Sequence, residues 1–286
     1  EELLEVEGLI RFDQAVRQIH QPKVELQWQQ ARDSLRFHEA MLLQLQLAQR
    51  RAENSSQAAT KRSPRELVGA FDKSLPFEYT KGQHEVNRAI EADMASGTVM
   101  HRLLQGEVGS GKTIVALRAM LLAADSQGQS ALLAPTEVLA AQHYRSVIQS
   151  LGPDLSKQLG VSLLTGQLPA AQKKKVLLDI VSGKCKIAIG THALIADRVE
   201  FADLAMIVVD EQHRFGVNQR DALRAKGKSI PHVLTMTATP IPRTMAITVF
   251  GDLEISTLTE LPAGRKPISS FVVPVGQPAL VSRVWS

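Results

Sequence analysis

The sequence predicts an α/β fold: a parallel sheet covered on both faces by helices and preceded by a helical extension. Three features predict it. From Ser130 onward, short apolar runs alternate with longer stretches of helical period, the pattern of strands joined by crossover helices. Ahead of them, Gly106–Thr113 reads G-x-x-x-x-G-K-T between an apolar run and a good helix pattern. Further upstream, Val24–Glu53 keeps apolar residues at a sustained helical period.

Leu9–Ile19 reads as one amphipathic helix that ends before Pro22. In Val24–Glu53, Trp28, Leu35 and Leu42 repeat every seven residues, with Ala31, His38 and Leu45 between them. This stripe is expected to pack on a neighbouring domain, with His38 as a packing residue. Asn54–Arg65 is rich in Ser, Ala, Lys and Arg and holds Pro64, so a flexible, solvated connection is expected. Phosphate contact by Lys61, Arg62 and Arg65 is the alternative. Thr80 is placed to cap a helix over Lys81–Met94. Gln83, in its first turn, carries an amide that both donates and accepts, as an adenine edge requires. A solvent-facing glutamine is the plainer reading.

The apolar run Arg102–Gln105 leads into Gly106-Glu107-Val108-Gly109-Ser110-Gly111-Lys112-Thr113, and Ile114–Ala124 follows as a helix. Strand, loop and helix in that order are what a phosphate-binding loop needs. The glycines let the backbone bend so that successive N–H groups point inward at phosphate oxygens. The new helix adds its positive end. Lys112 is placed to reach the β- and γ-phosphates of a nucleotide, and Thr113 to ligate Mg²⁺.

After the loop, strands are expected at Ser130–Ala134, Val161–Leu164, Lys186–Gly190, Met206–Asp210 and His232–Met236. Helices are expected at Thr136–Ser150 and Pro169–Val181. Ligands of such sheets bind at the carboxyl ends of the strands, where every motif here lies. Met206–Val209 ends in two acids. Asp210 is suited to hold Mg²⁺ through water, and Glu211 to orient or deprotonate an attacking water. Gln212 and His213 follow, giving Asp-Glu-Gln-His. Thr237-Ala238-Thr239 ends the last strand, with hydroxyls suited to relay hydrogen bonds from the acidic pair. Pro240 and Pro242 stiffen the exit. Ala134-Pro135-Thr136 and Gly190-Thr191-His192 end two other strands. The first starts a helix whose free N–H groups are suited to a phosphate, and both are expected on one rim of the sheet, with plain capping by the threonines as the alternative. Lys173–Lys175 reads as a solvated helix face.

The 286 residues allow one large domain or two ordinary ones, and 44% hydrophobic with 22% charged residues is ordinary for a globular protein. A net charge of +4 permits nucleic acid as a partner without arguing for it. The single cysteine, Cys185, excludes an internal disulfide and fits a reducing compartment. No apolar run approaches the ~18 residues of a membrane span, and no secretory signal pattern is visible. The chain starts at Glu1 and ends through Val281–Ser286 without a stop signal, so a piece of a longer protein is expected.

In order, these motifs resemble a superfamily 2 helicase motor. Phe77–Gln83 is similar to the Q motif and Gly106–Thr113 to motif I; Ala134–His143 and Thr165-Gly166 resemble motifs Ia and Ib, and Gly190–Leu194 the motif after them. Asp210–His213 resembles motif II and Thr237–Thr239 motif III. Asp-Glu-Gln-His-Arg-Phe-Gly at Asp210–Gly216 and Thr-Ala-Thr-Pro-Ile-Pro-Arg-Thr at Thr237–Thr244 narrow the resemblance to the RecG family of branch-migration helicases. Gln18–Pro22 leading to Leu35–Glu39 is similar to that family's helical link after its wedge domain. The Mfd family of transcription-repair coupling translocases shares the threonine-proline pattern, and the N-terminal link separates the two.

The resemblance implies a RecA-like motor domain over residues 66–274, after a helical link over 1–65, with 275–286 starting the connection to a second motor domain. It implies ATP and Mg²⁺, with Lys112, Asp210 and Glu211 catalytic and Thr113 and Asp210 on the metal. Phe77, Gln83, Gly106, Glu107, Val108, Gly109, Ser110, Gly111, Lys112 and Thr113 would surround the nucleotide. Gln212, His213, Thr237, Ala238 and Thr239 would couple that site to DNA, with Pro135, Thr136, Gln142, Thr191 and His192 facing it. The implied activity is ATP-driven translocation on double-stranded DNA by a monomer in the bacterial cytoplasm. It would remodel stalled forks and Holliday junctions in recombination and repair. A wedge domain would precede Glu1, and a second motor domain with a charge-stabilising arginine would follow Ser286. The 286 residues are therefore expected to bind ATP and hydrolyse it poorly, with a nucleotide-dependent DNA-binding module without turnover as the alternative.

Overall fold

The computed structural model describes residues 8–196, 198–210, 229–238 and 253–260. Its strands are β1 (His101–Gly106), β2 (Gln129–Leu133), β3 (Ser162–Leu164), β4 (Ile187–Gly190), β5 (Leu204–Asp210), β6 (His232–Thr237) and β7 (Glu254–Leu258). They form one sheet in the order β3-β4-β2-β5-β6-β1-β7, and every pair is parallel. β1 to β6 lie within two residues of their expected bounds. β7 is an addition: it pairs with β1 at the sheet edge, where only Leu258 of its five residues is buried.

The helices after the link are α3 (Glu66–Ser74), α4 (Lys81–Ser96), α5 (Lys112–Asp125), α6 (Glu137–Gln158) and α7 (Ala170–Val181). Side chains alternate along each strand, so successive residues feed opposite layers. Met206 and Val208 pack with Phe71, Ile90, Leu117, Leu121 and Leu132 on one face. Ile207 and Val209 pack with Leu133, Ile180 and Leu194 on the other. α5 is buried nearly all round from Val115 to Asp125, which explains why its sequence is apolar on every side. α6 runs past its expected end at Ser150 through a kink, where Gly152 takes φ 73° beside Pro153. Cys185 is buried, and burial pushes its thiol up to about 11, so it is an inert packing residue.

The helical extension consists of α1 (Phe12–His20) and α2 (Glu25–Ser56), here labelled ahead of α3. They pack through Ala15 and Ala31, both fully buried, and the Ile10 N–H donates to Ser34 Oγ at 3.0 Å. Within this chain α1 covers only part of the expected stripe. Ala31 is buried, whereas Leu42 and Leu45 are exposed. His38 is a satisfied residue as anticipated, its Nδ1 2.7 Å from the Ser34 carbonyl.

The connection Gln57–Arg65 is not a solvated linker. Ala58 bridges Thr98 in antiparallel fashion, the Ala59 N–H donates to the Gly97 carbonyl, and the Val99 N–H donates to that of Gln57. Arg62 is 2% exposed, paired with Asp203 at 2.9 Å and donating to the Ser126 carbonyl. Its guanidinium faces the interior and not a phosphate. The buried Asp125 carboxylate then accepts the N–H groups of Arg65, Leu67 and Val68, supplying the cap that α3 lacks in its own sequence. The segment is thus a strap bonded along the amino ends of the strands. Among the described residues, no helix is long and apolar enough to cross a membrane.

Candidate active site

β1 carries the chain into the glycine loop, and α5 begins at Lys112. Gly109 and Gly111 take φ 85° and 86°, the left-handed region that side chains resist. Gly111 is also the N-cap of α5 and offers no side chain, so the first N–H groups of the helix have no cap from that residue. Lys112 folds back over the loop, its Nζ donating to the carbonyls of Gly106 at 2.7 Å and Glu107 at 2.9 Å. Ser110 Oγ is buried without a hydrogen-bond partner among the described residues, a polar atom that a phosphate oxygen would satisfy. Val108 is 72% exposed at the tip and Thr113 half-buried in the first helical turn. Bent glycine backbone, unpartnered hydroxyl and helix start fit a polyphosphate with its cation.

Gln83 takes a place the sequence did not foresee. It completes a capping box with Thr80, accepting the Thr80 N–H on Oε1 at 3.0 Å while Thr80 accepts the Gln83 N–H. Its Nε2 then donates to the Ser110 carbonyl at 2.9 Å, and the residue is 2% exposed. Gln83 therefore ties α4 to the glycine loop. Phe77, 44% exposed, lines a cavity of about 770 Å³ with Tyr79, His84, Asn87 and Arg118. Its wall is stiffened by Arg118, which is paired with both Asp72 and Glu91. Tyr79 donates to Asp72 Oδ1 at 2.8 Å, and burial raises its phenol far above the usual value.

Sheet order brings the remaining strand ends to the loop. β6 lies between β5 and β1, with Asp210 opposite Met236 and Thr237 opposite Gln105. Thr237, 4% exposed, therefore sits between the loop strand and the acidic strand end, and Ala238 follows it. Asp210 is held from another side: its Oδ2 lies 2.7 Å from His143 Nε2 on α6. The sequence reading gave His143 no role; the signal was its place on the inward face of α6, with Ala140 and Val147 on either side. Glu211, Gln212, His213 and Thr239 lie outside the described residues.

β2 and β4 are neighbours, so Pro135-Thr136 and Thr191-His192 emerge side by side. Thr136 caps α6, accepting the Leu139 N–H at 3.2 Å. Glu137 Oε1 accepts the Gly166 N–H at 2.8 Å and draws in the Thr165-Gly166 loop. Thr136, Gln142 and His192 are exposed and Pro135 is half-buried. Thr191 differs from expectation: it is 2% exposed, and its buried hydroxyl has no partner among the described residues.

A glycine loop at a helix start, beside an aspartate at the end of a buried parallel strand, defines a P-loop nucleotide-binding domain. Residues 80–247 match the family profile described as DEAD/DEAH box helicase, and the chain belongs to that family. Its relatives narrow the likeness. It is 52% identical, over 97% of its length and 39% of the relative's, to the protein named ATP-dependent DNA helicase RecG in Mycobacterium leprae. To the protein of that name in Streptococcus pneumoniae it is 48% identical, over 93% of this chain and 39% of the relative. Among solved structures, one described as RecG bound to a three-way DNA junction matches with a TM-score of 0.81 and 36% identity, over 100% of this chain and 38% of that one. The chain thus spans about two fifths of the length of these relatives.

Proposed function

We propose that this chain is the ATP-binding motor half of a DNA helicase that remodels branched DNA, in Holliday junction branch migration and the regression of stalled forks. Three adjacent strand ends carry the reading: the glycine loop after β1, Thr237 on β6 and Asp210 on β5. The name shared by the relatives, and a likeness to a protein solved on a three-way DNA junction, supply the substrate class.

Lys112 would exchange its two loop carbonyls for phosphate oxygens of the nucleotide, and the open start of α5 would offer them its N–H groups. Thr113, and Asp210 through water, would hold Mg²⁺, whose chemistry is to neutralise phosphate charge. Glu211 orients or deprotonates the attacking water. Gln83 uses one N–H and one lone pair in its ties to the loop and Thr80; its amide has one more of each, the pair an adenine edge needs, and at 2% exposure would have to turn outward to present them. Phe77 borders that edge. Thr237, Ala238 and Thr239, with Gln212 and His213, link the acidic strand end to the rim formed by Pro135, Thr136, Gln142 and His192, with Thr191 beneath it. The motor domain is assigned to 66–274, with 1–65 as its helical link and 275–286 as the start of the next connection. The protein works as a monomer on double-stranded branches in the bacterial cytoplasm.

The test sets ATP hydrolysis, with and without forked DNA, beside a nucleotide-binding titration, on this chain and on the full-length protein. The chain alone is expected to bind ATP and turn it over poorly, and the full-length protein to hydrolyse ATP faster with forked DNA and to regress the fork. Hydrolysis indifferent to DNA in the full-length protein would refute the helicase reading.

A further inference from the structure

We propose that α6 is a connecting rod between the DNA rim and the metal-holding carboxylate, with His143 as the positioning residue at its inner end. The inference rests on the proposed function, since it takes Pro135-Thr136 as rim and Asp210 as metal support. Three ties lie within the first two turns of one helix. Thr136 caps α6 at the rim. Glu137 Oε1, one residue on, holds the Gly166 N–H at 2.8 Å and so binds a second rim loop to the same turn. His143 Nε2 meets Asp210 Oδ2 at 2.7 Å. From Thr136 to His143 is about 10 Å of helical rise, a span over which a packed helix moves as one body.

The placement of His143 follows from packing. Ala140, Val147 and Leu151 form the inward stripe of α6 and are buried. His143 occupies the same stripe and is its polar member, so the packing of α6 on the sheet sets its ring against Asp210. The two side chains are only 12% and 15% exposed, which shields their contact from water. The sheet itself is stiff here: β2, which feeds α6, is paired directly with β5, which carries Asp210. A displacement at the rim therefore reaches the carboxylate through the helix rather than through the strands. Groups that orient a metal ligand commonly govern affinity by ~10- to 100-fold.

A plainer role is possible for any histidine beside a half-buried carboxylate: it satisfies the acid and does no more. The two roles separate by experiment. In the full-length protein, His143→Phe keeps a ring and removes the donor, while His143→Gln restores an N–H at similar reach. The measurement is the Mg²⁺ concentration needed for binding of a fluorescent ATP analogue, with and without forked DNA, beside the melting temperature. Forked DNA is expected to lower the Mg²⁺ requirement of the wild type. His143→Phe is expected to remove that DNA dependence and raise the requirement by ~10- to 100-fold in the presence of DNA, and His143→Gln to restore most of it. A DNA effect that survives in His143→Phe overturns the proposal. So does an equal loss with and without DNA that tracks the melting temperature, because that is the structural role alone. A wild type that binds no Mg²⁺-nucleotide overturns the proposed function together with the rod. Should His143→Phe fail to fold, His143→Asn, whose amide stops short of Asp210, takes its place beside His143→Gln.

Discussion

Lys112 is held by two carbonyls of the loop it is meant to serve. Its ammonium therefore sits over the bent backbone before any phosphate arrives, and little side-chain ordering is left for binding. Lys112→Ala is expected to abolish nucleotide binding in a titration while shifting the melting temperature little, since the ammonium's bonds to the Gly106 and Glu107 carbonyls are only part-buried and exposed. His232 works in the opposite sense, through stability. It is 1% exposed at the start of β6, its Nδ1 accepts the Met100 N–H at 3.1 Å, and burial pushes its pKa from 6.5 down to about 4. Below pH 6.5 the unfolded chain binds a proton that the folded chain refuses until about pH 4. Stability from this group is thus intact above pH 6.5 and is lost as the pH falls towards 4, by about 3 kcal/mol in all. Urea unfolding at pH 7 and pH 5 is expected to show a smaller drop in His232→Asn, which keeps an acceptor for Met100, than in the wild type. The glycine loop was legible because its chemistry is local: eight consecutive residues carry both the bend and the cation. His143 and Thr191 were not, because what they face depends on strands and helices far away in the chain.

The connecting strap teaches the same lesson for whole elements. Gln57–Arg65 has the composition of a solvated linker, and composition describes the side chains, not where the backbone hydrogen bonds go. Its backbone joins the turn before β1, and its one deeply buried cation meets Asp203, 141 residues away. Arg62→Ala leaves Asp203 and the Ser126 carbonyl without that partner, and a charged hydrogen bond of this kind is worth about 2 kcal/mol. Denaturant unfolding is expected to show a loss of that order, with nucleotide binding unchanged. The strands β1 to β6 could be read because each is an apolar run with turn signals at both ends. β7 could not: its five residues at the sheet edge are mostly exposed or half-exposed, so no apolar run marks it. The nine-residue α3 was missed for a related reason. Its start is capped by Asp125, more than fifty residues further on, and the local Ser63-Pro64-Arg65-Glu66 pattern is not what caps it.

At the scale of the molecule, the strap decides how the helical extension is attached. α2 ends at Ser56, and the Gln57 carbonyl already accepts a hydrogen bond from Val99. The helix passes directly into backbone pairing with the turn before β1, so α2 is keyed to the sheet domain like a screw in a tapped hole. Each residue of helix advances the direction of its far end by about 100° and its position by about 1.5 Å. One alanine inserted within α2 would swing α1, and whatever the protein carries ahead of it, about a quarter turn around the axis. Seven alanines would push it some 10 Å further out yet return it to within about 20° of its heading. In the full-length protein, fork regression is expected to suffer more from the single insertion than from the sevenfold one, with ATP hydrolysis retained in both. Equal damage would mean that reach matters and azimuth does not. On this view the extension carries angular information, and its length in residues is a compass setting that the motor holds by its base.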